Sequence, residues 1–134
     1  MHIEYKGINE VEEERFVLLL LIGAIQSLKD GVIGYTDASN WIANIATLIF
    51  AEEIGFSKKT IRAIHLSTEV GDIARLAPHA LLETCDKILQ LCKSALDETY
   101  TDKSPFLREV HCYLDYVDLK KSRTVYGEYD DEEE

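Results

Sequence analysis

The chain has 134 residues, 25 Asp and Glu against 14 Lys and Arg, a formal net charge of -11 and 46% hydrophobic residues. That length and apolar content suit one domain with a real core and exclude a wholly disordered chain. The charge sets it against nucleic acid and anionic membrane as direct partners, and favours proteins with a basic working surface.

The first predicted helix runs from about Glu10 to Lys29. Asn9 is its N-cap with Glu12 three residues on, acids crowd the positive end of the dipole, and Gly31 lies just past the end. Phe16 to Ile25 is continuously apolar or Gly, about half of the ~20 residues a bilayer span needs, and Glu12-Glu13-Glu14 stands just before it. The segment therefore reads as a helix central to the bundle, with Gly23 marking a close helix crossing.

A second helix is expected after Thr36, ending at Gly55. It reads as largely buried, with Asn40, Asn44 and Thr47 on one uncharged polar stripe. Ser57 caps a third helix carrying Ile61, Ile64, Val70 and Ile73, which Gly71 breaks or kinks. Pro78 opens a fourth, where Leu81, Cys85, Ile88, Cys92 and Ala95 form an apolar stripe; its half-polar character places it at the bundle's edge.

Ser104-Pro105 has the form of another cap-plus-proline start, and Leu107, Val110, Leu114 and Val117 then repeat at helical spacing. Val110 to Leu119 is also rich in Val and Tyr, which suits a strand. The cap signals favour a helix. The expected fold is all-α, a single-domain bundle of about five helices over residues 1–123, followed by a mobile acidic tail over residues 124–134.

Few residues propose chemistry. His65, Glu69 and Asp72 fall at i, i+4 and i+7, so one helix face presents all three, but a polar helix surface explains them as well. Cys85 and Cys92 are seven residues apart, too far for zinc-ligand spacing, and read as buried small hydrophobes; nothing places Cys112 near them. No Gly-x-Ser-x-Gly turn or glycine-rich phosphate loop is present. The compact basic patches, Lys58-Lys59 and Lys120-Lys121-Ser122-Arg123, suit an ordinary solvated surface. The expectation is a protein that is no enzyme and takes no cofactor or metal.

The last third carries more information. Five of seven tyrosines fall at Tyr100, Tyr113, Tyr116, Tyr126 and Tyr129, interleaved with Asp115, Asp118, Glu128 and Asp130. The stretch Asp130 to Glu134 is wholly acidic. Tyrosine supplies rigid contact area with a polar end, and carboxylates beside rings imitate phosphates beside bases. Tyr113, Asp115, Tyr116, Asp118, Tyr126, Glu128, Tyr129 and Asp130 are therefore the expected partner-binding residues. The plain alternative is that Tyr113 or Tyr116 packs in the core and the tail promotes solubility.

A short, acidic, motif-poor chain of this kind is similar to the bacterial immunity proteins of contact-dependent growth inhibition and related toxin systems. Separately, Ile64-His65-Leu66-Ser67-Thr68-Glu69-Val70-Gly71-Asp72-Ile73-Ala74-Arg75-Leu76-Ala77-Pro78, with Gly31-Val32-Ile33 and Asp37-Ala38 upstream, resembles a small all-helical bacterial family of unknown function. That likeness covers roughly half the chain and brings no catalytic residue with it. The first resemblance implies occlusion of a basic nuclease toxin. The alternative is a regulator or nucleic-acid mimic that sequesters a DNA- or RNA-binding factor. Met1 to Tyr5 lacks a basic region before an apolar stretch, so a cytoplasmic, reduced setting is expected. Oligomeric state is not legible.

Overall fold

A computed structural model gives the fold and describes residues 2–7, 9–101, 112–118 and 123–124, with side chains at 4–5 and 9–101. The order is β1 (His2–Gly7), α1 (Glu10–Lys29), α2 (Tyr35–Trp41), α3 (Ile45–Ile54), α4 (Lys58–Thr68), α5 (Val70–Leu76), a 3-10 turn (Pro78–Ala80), α6 (Leu81–Glu98), β2 (Cys112–Asp118) and β3 (Arg123–Thr124). The expected helical bundle is the architecture observed over residues 10–98, and a small antiparallel sheet in the order β1-β2-β3 accompanies it.

Local signals set the helix ends. Asn9 Oδ1 accepts the Glu12 amide at 3.0 Å at the start of α1. Past its end Gly31 takes φ 77, a left-handed conformation that glycine adopts without steric cost. Gly55 closes α3 in the same way at φ 91. Ser57 caps α4, and Pro78 opens the 3-10 turn that leads into α6.

Two expected helices each divide. Asn44 interrupts the second: in extended backbone, its Oδ1 accepts the Thr47 amide at 3.0 Å and its Nδ2 donates to the Ser39 carbonyl at 2.7 Å. The polar stripe thus contains a cap, because an Asn side chain competes with the backbone for helical hydrogen bonds. The third helix breaks at Glu69, two residues before Gly71. There Ser67 and Thr68 hydroxyls donate to the carbonyls of Ile64 and His65, each at 2.6 Å, in the last turn of α4. Gly71 lies inside α5, where a Cβ would stand 3.0 Å from the Tyr35 ring.

Core placement differs from expectation in three helices. α6 is the central one, packed against both α1 and α4, with Cys85, Ile88, Leu89, Cys92 and Ala95 buried. α1 buries Val17, Leu18, Leu21, Ile25 and Leu28 along one side while Leu19 and Gly23 are exposed. An added Cβ at Gly23 would meet no atom within 4 Å, so Gly23 marks no close crossing. α3 buries only Ala51, although the helix had read as largely buried. Periodicity reports which residues are apolar, and the supply of neighbouring helices decides which of them are covered.

Buried polar groups tie α1 to its neighbours. Glu14 Oε2 accepts the Ser57 hydroxyl at 2.9 Å and also the Thr60 hydroxyl, at the first turn of α4. Arg15 donates from Nε to the Thr99 hydroxyl at 2.9 Å and from Nη2 to its carbonyl at 2.6 Å, with its guanidinium 3.8 Å from the centre of the Tyr100 ring. Tyr100, one of the five late tyrosines, thus belongs to the clasp between α1 and the end of α6.

The expected fifth helix is corrected for residues 112–118, which form β2. β1 pairs with it from His2 opposite Val117 to Gly7 opposite Cys112. Val and Tyr suit a pleated strand, and β1 supplies a partner 100 or so residues away that helical spacing cannot register.

Candidate functional site

Four of the eight predicted contact residues, Tyr113, Asp115, Tyr116 and Asp118, lie on β2. Strand positions alternate between faces, so Tyr113 and Asp115 share one and Tyr116 and Asp118 the other. The segment expected to carry these four on a helix is thus a strand, and their positions divide between its two faces. Tyr5 stands across from Leu114 and stacks on Phe16 with ring centroids 4.1 Å apart. The positions of Leu114, Tyr116 and Asp118 thus fall on the face of the sheet that carries Tyr5, the side of α1. The opposite face carries Glu4, which is exposed, directly across from Asp115, with Lys6 across from Tyr113. Tyr126, Glu128, Tyr129 and Asp130 lie outside the described residues.

A second surface was missed from sequence. Trp41 at the end of α2 is 72% exposed, and Ile45 and Ile49, one turn apart on α3, are 58% and 49% exposed. Ala46 and Phe50 continue the same exposed side and Glu52 and Glu53 end it. Phe50 also meets Phe56 edge-on at 5.8 Å. The signal was present as a helix apolar on every side with the chain's one tryptophan before it, but such a helix reads as core until its neighbours are known.

The candidate chemical residues do not converge. His65 Nε2 is 3.9 Å from Glu69 Oε2, with both side chains about half exposed, while Asp72 pairs with Arg75 at 2.9 Å. The break at Glu69 puts His65 and Asp72 on different helices. Among the described residues no three His, Cys, Asp or Glu side chains gather to hold a metal ion. Cys85 and Cys92 are buried free thiols, and burial pushes the Cys92 thiol up to about 12. Neither is a reactive thiolate at neutral pH.

Two concavities are lined by described residues. An open groove of about 570 Å³ between α4 and α6 is lined by Lys59, Arg62, Lys87, Gln90, Leu91 and Ser94. Its Lys59 is already engaged by Glu98 and by Ser94. A cleft of about 250 Å³ lies between α2 and the α4–α5 junction, with Tyr35, Ser67, Gly71, Asp72 and Arg75 among its walls. The segments around Asp37-Ala38 and Ser67 to Arg75, distant in sequence, meet there. No helix among the described residues is long and apolar enough to cross a membrane.

The model of a family described as "Protein of unknown function (DUF3969)" matches residues 8–108, and the chain belongs to that family. Neither a curated protein nor a solved structure matches it.

Proposed function

We propose that this member of the DUF3969 family is an immunity protein that binds a cognate nuclease toxin and covers its basic substrate surface. The observation that carries the reading is charge and where it lies. The net charge is -11, six of the 25 carboxylates fall within Tyr126 to Glu134, and β-pairing sets exposed Glu4 beside Asp115. A nuclease groove must be basic to hold a polyanion, so an acidic surface competes for the same ground. Long-range attraction speeds encounter, towards about 10⁸ M⁻¹s⁻¹ at low salt. No step in this function asks the chain for a cofactor or a reaction.

Co-expression with the toxin domain encoded beside this chain tests the reading. Survival of the host, and a complex that forms at low salt and weakens as salt rises, are the expected results. Removing Tyr126 to Glu134, or reversing charge with Asp115→Lys, slows association. Absence of protection ends the proposal, and recovery of a housekeeping nucleic-acid-binding factor from lysate instead assigns the chain to sequestration.

A further inference from the structure

α3 has the composition of a core helix and the placement of a surface one. Its ten residues include Ile45, Leu48, Ile49, Phe50 and Ile54, yet only Ala51 is buried. Single exposed apolar residues are ordinary, but here Ile45, Ala46, Ile49 and Phe50 share one exposed side of α3, and Trp41, four residues before Ile45 in the chain, is exposed as well. Among the described residues α3 packs against α4, and its covered residues Thr47, Leu48, Ala51 and Ile54 fall on the side opposite this one. Leaving such a side in water forgoes the burial that stabilises a helix of this length, which is too short to persist on propensity alone.

Charge identifies the occupant. From Tyr35 to Ile54 the chain holds Asp37, Glu52 and Glu53 and no Lys, Arg or His. A second copy would bring the same carboxylates, and another -11, against this face. A basic protein meets no such repulsion, and its cations find Glu52 and Glu53 at the rim of the apolar strip.

We propose that the outer side of α3, with Trp41, is the anchor of the interface: an apolar projection within the toxin's basic face seats on Trp41, Ile45 and Ile49. The inference rests on the inhibitor reading above and adds where the partner docks. Acids of the sheet and tail steer the encounter, and the α3 strip holds the complex once formed. Buried aromatic anchors dominate binding energy at an interface, and truncating them acts mostly on the dissociation rate.

Because the chain has one tryptophan, Trp41 reports its own environment. The test uses the full chain and the purified toxin domain encoded beside it, with Trp41→Ala and Ile49→Ser as variants. Both sites are exposed, so thermal melting of each variant should match that of the wild type. The expected result is a blue shift of Trp41 emission on complex formation, absent in a Trp41→Phe control, and dissociation accelerated about 30-fold or more with little change in association. Wild-type binding with dissociation unchanged in both variants overturns the α3 anchor and leaves the inhibitor reading standing. Failure of the wild type to bind removes the inhibitor reading itself. A wild-type dimer in sedimentation that Ile49→Glu dissolves gives this face to a second copy and also overturns the proposal.

Discussion

Glu14 Oε2 accepts both the hydroxyl of Ser57, at 2.9 Å, and its amide, at 3.2 Å. Ser57 is the N-cap of α4, whose first turn contains no acid of its own. A carboxylate from α1 therefore supplies the negative charge that a helix N-terminus favours, and joins two helices 43 residues apart in sequence.

Glu14→Ala removes that acceptor from a buried position and leaves the Ser57 amide and the Thr60 hydroxyl short of a partner. It should cost about 2 to 4 kcal/mol. Glu14→Gln keeps one acceptor oxygen and should cost less. Urea unfolding checks this: the midpoint falls with slope unchanged. A midpoint equal to the wild type's would show that α4 does not depend on this acid.

Gly23 sits mid-helix on the exposed side of α1 with open space where a side chain would be. Gly23→Ala should therefore stabilise the chain by about 0.5 to 1 kcal/mol, since alanine restricts the unfolded chain and meets nothing when folded. Calorimetric melting is sufficient. A lower melting temperature would mean that this face is covered in solution.

The Cys92 thiol is pushed by burial from an ordinary 9.0 to about 12, and Cys85 is also raised, first by burial and then by the Asp86 carboxylate beside it. A thiol released by unfolding ionises at lower pH than the folded one. Its contribution to stability is whole below pH 9 and is lost as pH rises from 9 towards 12. Cys92→Ala should flatten the alkaline decline in the unfolding midpoint relative to wild type, whatever it costs at pH 7. Equal slopes for the two proteins would remove burial of this thiol as the cause. The native thiols should likewise resist a maleimide at pH 7.5 until denaturant is added.

Sequence legibility followed the range of the interaction. Asn9, Ser57, Gly31 and Gly55 marked ends correctly because caps and left-handed glycines act within one turn of chain, whereas Pro78, expected as the first residue of the fourth helix, opens a 3-10 turn and α6 begins at Leu81. The stripe of Cys85, Ile88, Cys92 and Ala95 was also readable, and all four are buried. Asn44 was misassigned since its side chain fits a stripe and a cap equally well by spacing. Residues 112–118 were misassigned because the cap signals at Ser104-Pro105 outweighed their strand composition, and the decisive partner, β1, lies at the other end of the chain.

By itself, then, the sequence determined that a strongly acidic chain would fold mainly as capped helices, because charge is additive and helix hydrogen bonds are local. Only the tertiary structure decided that α6 lies at the centre, that Glu4 faces Asp115, and that the apolar side of α3 is left to solvent. Burial is a property of pairs of elements: an apolar face becomes core only where another element is brought against it.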